Sequence, residues 1–370
     1  MNKLKILHLS SERSWRGGEQ QIAYLIETLS QRNVENWVAV RAGSEFETHC
    51  INSAISFSSL PFRNSFDLAT AWQLKKICQR HNISVVHAHS GKSHSLAVFS
   101  CVLGNRTPLI VSRRIDIIPK NNFLTRWKYN HRAVKKILCV SNEIKKIMKN
   151  FIQQPDKCIT VYSGVDLHKF DSIANTNTLR REYNIADDYT LIGNTSAFDI
   201  YKDYFTFVDT IELLLQKKLK VKAFIIGRGP LEQAIREYVS NKNLEQAIIF
   251  TGFRKDVKNI LGELSIFLMP SSMEGLGTSI LDAFLAGVPV VSTIAGGIPE
   301  MVTHEKNGML APVGNSAMLA EHIERIMKDE ALRMKLISGA REKVKLFSKE
   351  LTAEKTQKIY LDVLKDQSDV

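Results

Sequence analysis

The feature that most constrains this chain is a regular alternation of short runs rich in isoleucine and valine with longer amphipathic stretches. In the first half the order reads KILHLS, QQIAYLIETLSQR, WVAVRAG, LATAWQLKKICQRH and ISVVHAHS. Runs that are apolar on both faces and separated by helical stretches are typical of parallel strands covered by helices. The sequence therefore predicts an α/β fold built on a doubly wound parallel sheet.

The alternation stops once and then begins again, which indicates two domains. A polar stretch without hydrophobic periodicity follows TVYSGVDLHKFD, and the alternation restarts at TLIGNTSA. A length of 370 residues also exceeds the usual size of one domain. We expect one Rossmann-like domain over residues 1–170 and a second over 171–349, with a last helix at about 350–370 returning to the first. Two such domains facing each other would bind ligands in the cleft at the carboxyl ends of their strands.

The composition is that of a soluble globular protein, with 44% hydrophobic and 24% charged residues. No apolar run reaches the roughly 18 residues of a membrane-spanning helix. The first apolar run, KILHLS, is too short for a signal peptide, so we expect it to be a buried strand. Five scattered cysteines without a Cys-x-x-Cys pair favour neither a disulfide framework nor a zinc site. We therefore expect a cytoplasmic protein.

Positive charge is concentrated in one segment. The net charge is +12, and residues 106–149, here called the basic block, contain twelve Lys or Arg against two acidic residues. Such a surface attracts the phosphates of an anionic membrane leaflet, an anionic substrate or a nucleic acid. Nucleic acid is disfavoured because no aromatic recognition module accompanies the charge. The alternative is a solvated face that only aids solubility.

The stretch RGGEQQ follows the first predicted strand and opens a helix. Gly17 and Gly18 would let backbone N–H groups at the helix start approach a phosphate. The stretch is not a Gly-x-Gly-x-x-Gly fingerprint, so no dinucleotide site is predicted. A plain tight turn is the alternative.

The stretch VVHAHSGKSH ends a later strand and contains His87, His89 and His94. We expect the rings of His87 and His89 to point to opposite faces, which disfavours a shared metal ion. We favour His89 as a polar contact to a sugar hydroxyl. A buried histidine whose hydrogen bonds are satisfied within the core is the alternative.

In the second domain, Lys202 follows the strand TLIGN, and Gly227 and Gly229 follow VKAFII. A lysine at a strand end is a positive point charge that can neutralise a leaving diphosphate. An isolated loop lysine that is only solvated is the alternative.

The stretch EGLGTSILD places two carboxylates eight positions apart around a glycine-rich turn. Gly275 and Gly277 would expose N–H groups at a helix start, while Glu274 can accept two hydrogen bonds from sugar hydroxyls. Asp282 would lie near the same rim. The alternative is that Ser279 and Asp282, which have the spacing of a capping box, only close the helix end.

Taken in order, these motifs form a specific pattern over nearly the whole chain. They are GGEQ, HAHS, SGVD, Lys202, GRGP, TGF, PSSMEGLGTSILDAFLAGVPVV, GGIPE and NGML. The pattern resembles the retaining glycosyltransferases of the GT-B fold in glycosyltransferase family four, the glycosyl transferases of group 1. The resemblance implies transfer of a sugar, with retention, from a nucleotide-sugar donor to a glycan or lipid-linked acceptor. A UDP-sugar is the favoured donor, and bacterial lipopolysaccharide or other cell-surface polysaccharide assembly is the favoured setting.

The resemblance also assigns roles to residues at matching positions. It implies that Glu274 contacts the donor sugar, that His89 lies near the reaction centre and that Lys202 binds the diphosphate, so these three are the candidate catalytic residues. The other candidate donor-binding residues are Gly17, Gly18, Gly227, Arg228, Phe253, Arg254, Gly275, Leu276, Gly277, Thr278 and Asp282. Arg113 and Arg114 of the basic block are the candidate acceptor-side residues.

Two positions depart from the family pattern. Asp282, the implied ribose ligand, is one methylene shorter than the usual glutamate. Ala197 stands where an arginine commonly lies five residues before the lysine, so half of the expected cationic clamp is missing. The candidates to replace that arginine are Arg16, Arg228 and Arg254.

No Asp-x-Asp motif occurs in the chain, so we expect no metal and no cofactor. We expect a cytoplasmic enzyme that associates peripherally with the anionic face of a membrane. One alternative is a nucleotide-sugar epimerase, because that isomerase class shares the architecture. Another is a non-catalytic nucleotide-sugar-binding partner subunit, which Ala197 and Asp282 motivate. The sequence does not specify the oligomeric state.

Overall fold

The computed structural model describes residues 3–171 and 177–368 and divides the chain into two units. The first unit contains the residues up to Gly164 and those from Lys349 on, and the second runs from Val165 to Ser348. Each unit has one parallel sheet with helices packed on it. The predicted doubly wound α/β fold is therefore confirmed.

The first sheet has seven parallel strands in the order β3-β2-β1-β4-β5-β6-β7. The strands are β1 (Lys5–Ser10), β2 (Glu35–Arg41), β3 (Phe57–Leu60), β4 (Val85–Ala88), β5 (Leu109–Arg113), β6 (Val134–Cys139) and β7 (Cys158–Thr160). The helices of this unit are α1 (Gly17–Gln31), α2 (Glu45–Asn52), α3 (Leu68–Arg80), α4 (Gly91–Val102), α5 (Phe123–Asn130), α6 (Asn142–Phe151) and the last one, α15 (Lys349–Ser368). The strand order reverses between β1 and β4, which is where such sheets bind ligands.

The second sheet has six parallel strands in the order β10-β9-β8-β11-β12-β13. The strands are β8 (Thr190–Thr195), β9 (Val221–Ile226), β10 (Ile248–Gly252), β11 (Ile266–Met269), β12 (Val290–Thr293) and β13 (Met309–Ala311). The helices are α7 (Thr178–Glu182), α8 (Tyr204–Gln216), α9 (Glu232–Asn241), α10 (Val257–Leu261), α11 (Thr278–Leu285), α12 (Ile298–Met301), α13 (Ser316–Lys328) and α14 (Glu330–Val344). Here the order reverses between β8 and β11, so their carboxyl ends flank the corresponding crevice.

The central strands are buried on both faces, as the uninterrupted apolar runs predict. All four residues of β4 and of β11 are buried. Helix α15 completes the first core, where Ala353, Tyr360 and Val363 pack with Ile6 and Val85. This packing ties the last helix to strands at the beginning of the chain.

No helix within the described part of the chain is both long enough and apolar enough to cross a bilayer. All five cysteines are unpaired.

Gln21 of α1 fixes the end of the first unit by a two-point contact. Its Nε2 donates to the Gly164 carbonyl oxygen at 2.7 Å, and its Oε1 accepts from the Gly164 amide at 2.8 Å. Both contacts are buried. The side-chain amide offers a donor and an acceptor side by side, whereas an ionised carboxylate offers acceptors alone.

We expect Gln21→Glu to lower the free energy of unfolding by about 1–3 kcal/mol, because the Gly164 carbonyl would lose its donor and face a carboxylate. Thermal unfolding of the purified chain measures the change. The matched control is Gln20→Glu, since Gln20 is the half-buried neighbour on the same first turn. An equal loss of stability in both variants would show that the Gly164 contact does not stabilise this junction.

Candidate functional site

In the second unit, Lys202 and Glu274 meet where the strand order reverses. Lys202 ends a 3-10 turn, Ile200–Lys202, that follows β8, and Glu274 lies in the loop that follows β11. The Lys202 ammonium forms a short ion pair with Glu274 Oε2, and the two side chains are only 21% and 13% exposed. Because neighbouring parallel strands end at the same edge, residues 72 positions apart become partners. The two opposite charges are therefore in contact and mostly shielded from solvent.

Backbone contacts hold the loops that carry this pair. The amide of Ser272 donates to the Tyr201 carbonyl at 2.9 Å, and the amide of Gly297 donates to the Glu274 carbonyl at 2.9 Å. Gly277 then begins α11 at a φ of +91°, and a Cβ there would lie 3.0 Å from Glu274 Cγ. The glycine is therefore required both by its left-handed backbone and by the nearness of Glu274.

The loop between Glu274 and α11 contains further candidate donor-binding residues. Gly275 and Leu276 are buried, and Thr278 is half-buried at the first position of α11. No side chain caps the start of α11. Its first N–H groups therefore carry the partial positive charge of a helix start, and no capping side chain accepts a hydrogen bond from them.

Asp282 is paired and does not cap its helix. Lys169 Nζ lies 2.8 Å from both Asp282 carboxylate oxygens. Burial raises the pKa of Asp282, while the Lys169 ammonium acts in the opposite direction. The capping-box alternative is wrong, because the N-cap of α11 is Gly277 and the Ser279 hydroxyl points to Met269 Sδ at 3.8 Å.

The loop after β9 presents Arg228 beside the end of β8. A Cβ on Gly227, which has a φ of +147°, would lie 2.3 Å from the Ser196 carbonyl oxygen, so the two loops are in close contact. The Phe198 amide donates to the Arg228 carbonyl at 3.2 Å. Arg228 is exposed, and within the described chain its guanidinium has no hydrogen bond or ion pair. The backbone contact therefore holds Arg228, with its unpaired guanidinium, next to Ala197.

Arg254 lies after β10 and already forms ion pairs with two carboxylates. Its Nη1 lies 2.8 Å from Glu182, and its Nη2 lies 2.7 Å from Asp256. These carboxylates raise the pKa of Arg254 further above its usual range. Its neighbour Phe253 is 64% exposed and offers an unpaired aromatic face.

In the first unit, Gly17 and Gly18 form the start of α1, directly after β1. Arg16, the N-cap residue, has an extended backbone and provides no side-chain cap. A Cβ on Gly18 would meet no atom within 4 Å, so the space beside this backbone is open. Glu19 follows as a buried carboxyl group that accepts from Ser10 Oγ at 3.4 Å, and burial raises its pKa.

Three buried histidines lie together at the carboxyl ends of β1 and β4. His8 and His87 are register partners on these two strands, and His89 follows β4. The rings of His87 and His89 have centroids 3.9 Å apart. The expectation that they point to opposite faces is therefore wrong, because residues two apart on an extended chain share a face. Side-chain nitrogens of all three lie within 4.8 Å of one another.

Each of these rings is engaged in hydrogen bonds. His8 Nδ1 lies 3.0 Å from His89 Nε2, and His8 Nε2 lies 3.1 Å from Asn36 Oδ1. His87 contacts the Tyr360 hydroxyl at 2.6 Å and Ser112 Oγ at 2.9 Å. Burial lowers the pKa of His8 to about 4 and lowers the pKa of His87 and His89 well below the usual value.

The two candidate acceptor-side arginines have different surroundings. Arg113 donates to the Tyr129 hydroxyl at 3.3 Å and to the Ile117 carbonyl, so it braces the segment before α5. Arg114 Nη2 lies 3.4 Å from His89 Nδ1. Burial lowers the pKa of Arg114 to about 10, which leaves the guanidinium charged at neutral pH.

Sequence reasoning missed four residues of these sites. They are His8, Glu19, Asn36 and Lys169. His8 could have been found from its place on the first strand, since a buried polar residue near a strand's carboxyl end is a site signal. Asn36 and Lys169 carry no such signal, because their partners are distant along the chain.

Comparison with known proteins gives a consistent result for both halves. A family model described as Glycosyltransferase Family 4 matches residues 15–169, and one described as Glycosyl transferases group 1 matches residues 175–343. N-acetyl-alpha-D-glucosaminyl L-malate synthase of Bacillus anthracis is 28% identical over 81% of this chain and 80% of that protein.

A second relative is UDP-Gal:alpha-D-GlcNAc-diphosphoundecaprenol alpha-1,3-galactosyltransferase of Escherichia coli, 22% identical over 80% of each chain. Among solved structures, Anabaena HepE in complex with UDP and glucose has a TM-score of 0.85 at 19% identity, covering 97% of this chain and all of that one. This likeness supports the GT-B fold. The chain belongs to glycosyltransferase family four, and it is a glycosyltransferase with two Rossmann-like domains.

Proposed function

We propose that this glycosyltransferase moves a sugar from a UDP-sugar to a glycan or lipid-linked acceptor, with retention at the anomeric carbon and without a metal ion. The observation that carries the proposal is the Lys202–Glu274 ion pair at the reversal point of the second sheet. A nucleotide-sugar needs a cation for its diphosphate and hydrogen-bond acceptors for its sugar hydroxyls, and this pair offers both in contact.

Departure of UDP builds negative charge on phosphate oxygens and positive character on the sugar ring. Lys202 and the uncapped start of α11 are fixed donors for the first charge, and the Glu274 carboxylate is compatible with the second. In the free chain, Lys202 and Glu274 neutralise each other. Donor binding would replace this contact, because the diphosphate competes for the ammonium while sugar hydroxyls compete for the carboxylate.

The missing arginine at position 197 has one well-placed substitute in this unit. Arg228 is held beside Ala197 by the Phe198 amide and its guanidinium is free. Arg254, in contrast, is occupied by two carboxylates. We therefore assign Arg228 the second cation of the diphosphate clamp. With two cations and the start of α11 for one diphosphate, and no Asp-x-Asp motif, the site does not require a metal.

The names of the relatives support the substrate classes. The Escherichia coli relative is named for a UDP-Gal donor and a diphosphoundecaprenol-linked acceptor, and the HepE structure contains UDP. Retention follows the family resemblance, in which the acceptor attacks from the face that the diphosphate leaves. Assembly of a bacterial cell-surface polysaccharide on the cytoplasmic side of a membrane is the setting that these features favour.

The first unit has a surface suited to an anionic membrane. Large apolar side chains project from the segment before α5 and from its first residue, with Ile118 71% and Phe123 79% exposed. Trp72 on α3 is also half exposed. Phe99 of α4 contacts Phe66, which lies just before α3, and Trp127 of α5. This segment lies within the basic block, so apolar and cationic groups occur together, as peripheral membrane binding requires.

A thermal-shift screen against UDP, GDP and ADP, with and without EDTA, tests the donor. We expect UDP to raise the melting temperature and EDTA to leave the shift unchanged, because the diphosphate is held by fixed cations. A shift that needs a divalent metal would contradict metal-free binding. Binding of UDP without hydrolysis or transfer from any common UDP-sugar would favour the non-catalytic partner subunit.

Variants of the ion pair should separate binding from transfer. We expect Lys202→Ala to weaken UDP binding by roughly 10- to 100-fold, the worth of one charged hydrogen bond. Glu274→Gln should keep or strengthen UDP binding, because the competing carboxylate is gone. Its turnover of UDP-sugar should fall by at least the factor expected for UDP binding in Lys202→Ala. Calorimetry with UDP and a UDP-release assay give the two quantities. Normal turnover in Glu274→Gln would overturn the proposed role of Glu274.

For Arg228 we expect the alanine variant to weaken UDP binding by about tenfold. The double variant Ala197→Arg with Arg228→Ala should regain affinity, because the cation returns to the neighbouring loop. Arg341→Ala is the control, since Arg341 is an exposed arginine on α14. Unchanged UDP affinity in Arg228→Ala would remove Arg228 from the site.

Co-sedimentation with vesicles tests the membrane surface. We expect binding to vesicles that contain phosphatidylglycerol and at least tenfold weaker binding for Ile118→Ser with Phe123→Ser, since each apolar side chain contributes roughly 1.5–3 kcal/mol when fully buried and about 1.4 kcal/mol is tenfold in affinity. The control is Ile294→Ser with Leu346→Ser, at two exposed apolar positions of the second unit, 53% and 60% exposed. Equal binding to neutral and anionic vesicles would argue against this surface.

A further inference from the structure

The orientation of the Asn36 side chain is fixed by its surroundings. Asn36 Nδ2 lies 3.1 Å from Ser30 Oγ and 3.2 Å from the Val34 carbonyl oxygen. The Ser30 hydroxyl donates its own proton to the Ile26 carbonyl at 2.8 Å, so towards Asn36 it can only accept. Both neighbours are therefore acceptors, and the amide nitrogen must face them. Asn36 Oδ1 is left to face His8.

This orientation determines the proton on His8. Because Asn36 Oδ1 can only accept, His8 Nε2 must carry the hydrogen across their 3.1 Å contact. Burial lowers the pKa of His8 to about 4, so the ring is neutral and its Nδ1 has a lone pair. His89 Nε2, 3.0 Å away, must then donate to His8 Nδ1.

The other end of the chain of contacts gives the same answer independently. Arg114 can only donate, so His89 Nδ1 must accept across their 3.4 Å contact. A neutral His89 that accepts at Nδ1 carries its proton on Nε2, as the contact with His8 also requires. Asn36 at one end and Arg114 at the other thus select one arrangement of protons for both rings.

The groups around His89 keep it neutral. His8 and His87 face it from β1 and β4, and Arg114 faces it from the segment after β5. Glu19 and Tyr360 act on Arg114 from α1 and α15. Desolvation and the neighbouring cation both oppose a second proton on the ring.

A metal ion on the three histidines is the competing interpretation of the cluster. If His89 Nε2 bound a metal, its Nδ1 would carry the hydrogen and would face the N–H of Arg114, donor against donor. The Arg114 guanidinium would also repel a divalent cation. Both His87 nitrogens already have hydroxyl partners. The surroundings therefore favour hydrogen bonding over metal binding.

We propose that Asn36 and His8 are positioning residues that hold His89 as a neutral ring, with hydrogen on Nε2 and an acceptor at Nδ1. The consequence for catalysis rests on the proposed function and on the family resemblance, which implies that His89 lies near the reaction centre. A ring held in this way does not exchange protons during the reaction. Its one acceptor is Nδ1, to which a sugar hydroxyl can donate together with Arg114 or in place of Arg114.

The proton positions can be measured without any nucleotide. Long-range proton–nitrogen NMR spectra of the full chain labelled with ¹⁵N-histidine distinguish the two neutral forms, and His89→Gln identifies the His89 signals. We expect hydrogen on Nε2 alone, unchanged between about pH 6 and pH 8, the range in which an ordinary histidine titrates. Hydrogen on Nδ1, a mixture of forms or ordinary titration would overturn the proposal. Displacement of the hydrogen signals by one equivalent of Zn²⁺ would overturn it in favour of a metal site.

Asn36→Asp tests the role of the relay. A carboxylate beside His8 favours a doubly protonated His8, whose Nδ1 would then donate to His89 Nε2. This charged donor at 3.0 Å outweighs the 3.4 Å contact with Arg114, so the His89 hydrogen should move to Nδ1. We expect this exchange in the spectrum and about a tenfold fall in kcat for UDP-sugar hydrolysis or transfer, with UDP binding retained. His8→Leu is the second variant. Arg114 should keep the hydrogen on His89 Nε2, but that N–H loses its acceptor, so we expect its signal to shift and kcat to fall about tenfold whether or not Asn36→Asp folds.

The matched control is His94→Phe. His94 is fully buried in the same unit, and within the described residues neither of its ring nitrogens has a hydrogen-bond partner. This variant should leave the His89 spectrum and kcat unchanged. A His89 hydrogen that moves in Asn36→Asp without any change in kcat would overturn the positioning role. If the unaltered chain does not bind UDP, the proposed function is wrong. The proton positions on His89 are still tested, because the spectrum of the free chain does not depend on UDP binding.

Discussion

The site depends on one geometric constraint, the reversal of strand order in a parallel sheet. At β8 and β11 the chain leaves neighbouring strand ends in opposite directions, so the following loops open a crevice between them. Lys202 and Glu274 are brought into contact only by this reversal. Desolvating an ion pair is costly and contributes little to stability, so such a pair is better explained by what it binds. In the proposed function, each member exchanges its partner for part of a nucleotide-sugar.

The two units use the same topology with different electrostatics. The second unit presents charged pairs, Lys202 with Glu274 and Lys169 with Asp282. The first unit presents neutral, deeply buried histidines beside one guanidinium. A leaving diphosphate requires fixed charge, whereas sugar hydroxyls require directed acceptors. The division of polar groups between the units matches these two needs.

The departures from the family pattern have different physical outcomes. Asp282 is paired with Lys169, which lies within 2.8 Å of both of its carboxylate oxygens. Beside Ala197, the neighbouring loop carries Arg228, the substitute proposed above, because Gly227 and Gly229 allow that loop to lie directly against Ser196 and Phe198. In that proposal, the missing cation is replaced from a different strand without a change in the fold.

The sequence by itself determined the fold class, since apolar runs of strand length alternate with helical stretches throughout. It also indicated Lys202, Glu274 and His89, because each directly follows a recognisable strand. It misjudged the relation of His87 to His89 and left the capping of α11 open, which the backbone at Gly277 resolves. Only the tertiary structure decided which polar groups are partners: Lys169 with Asp282, Arg254 with Glu182, and Asn36 through His8 with His89. The physical reason is that strand periodicity is a local property of the chain, whereas hydrogen bonds and ion pairs depend on which strand ends the topology makes neighbours.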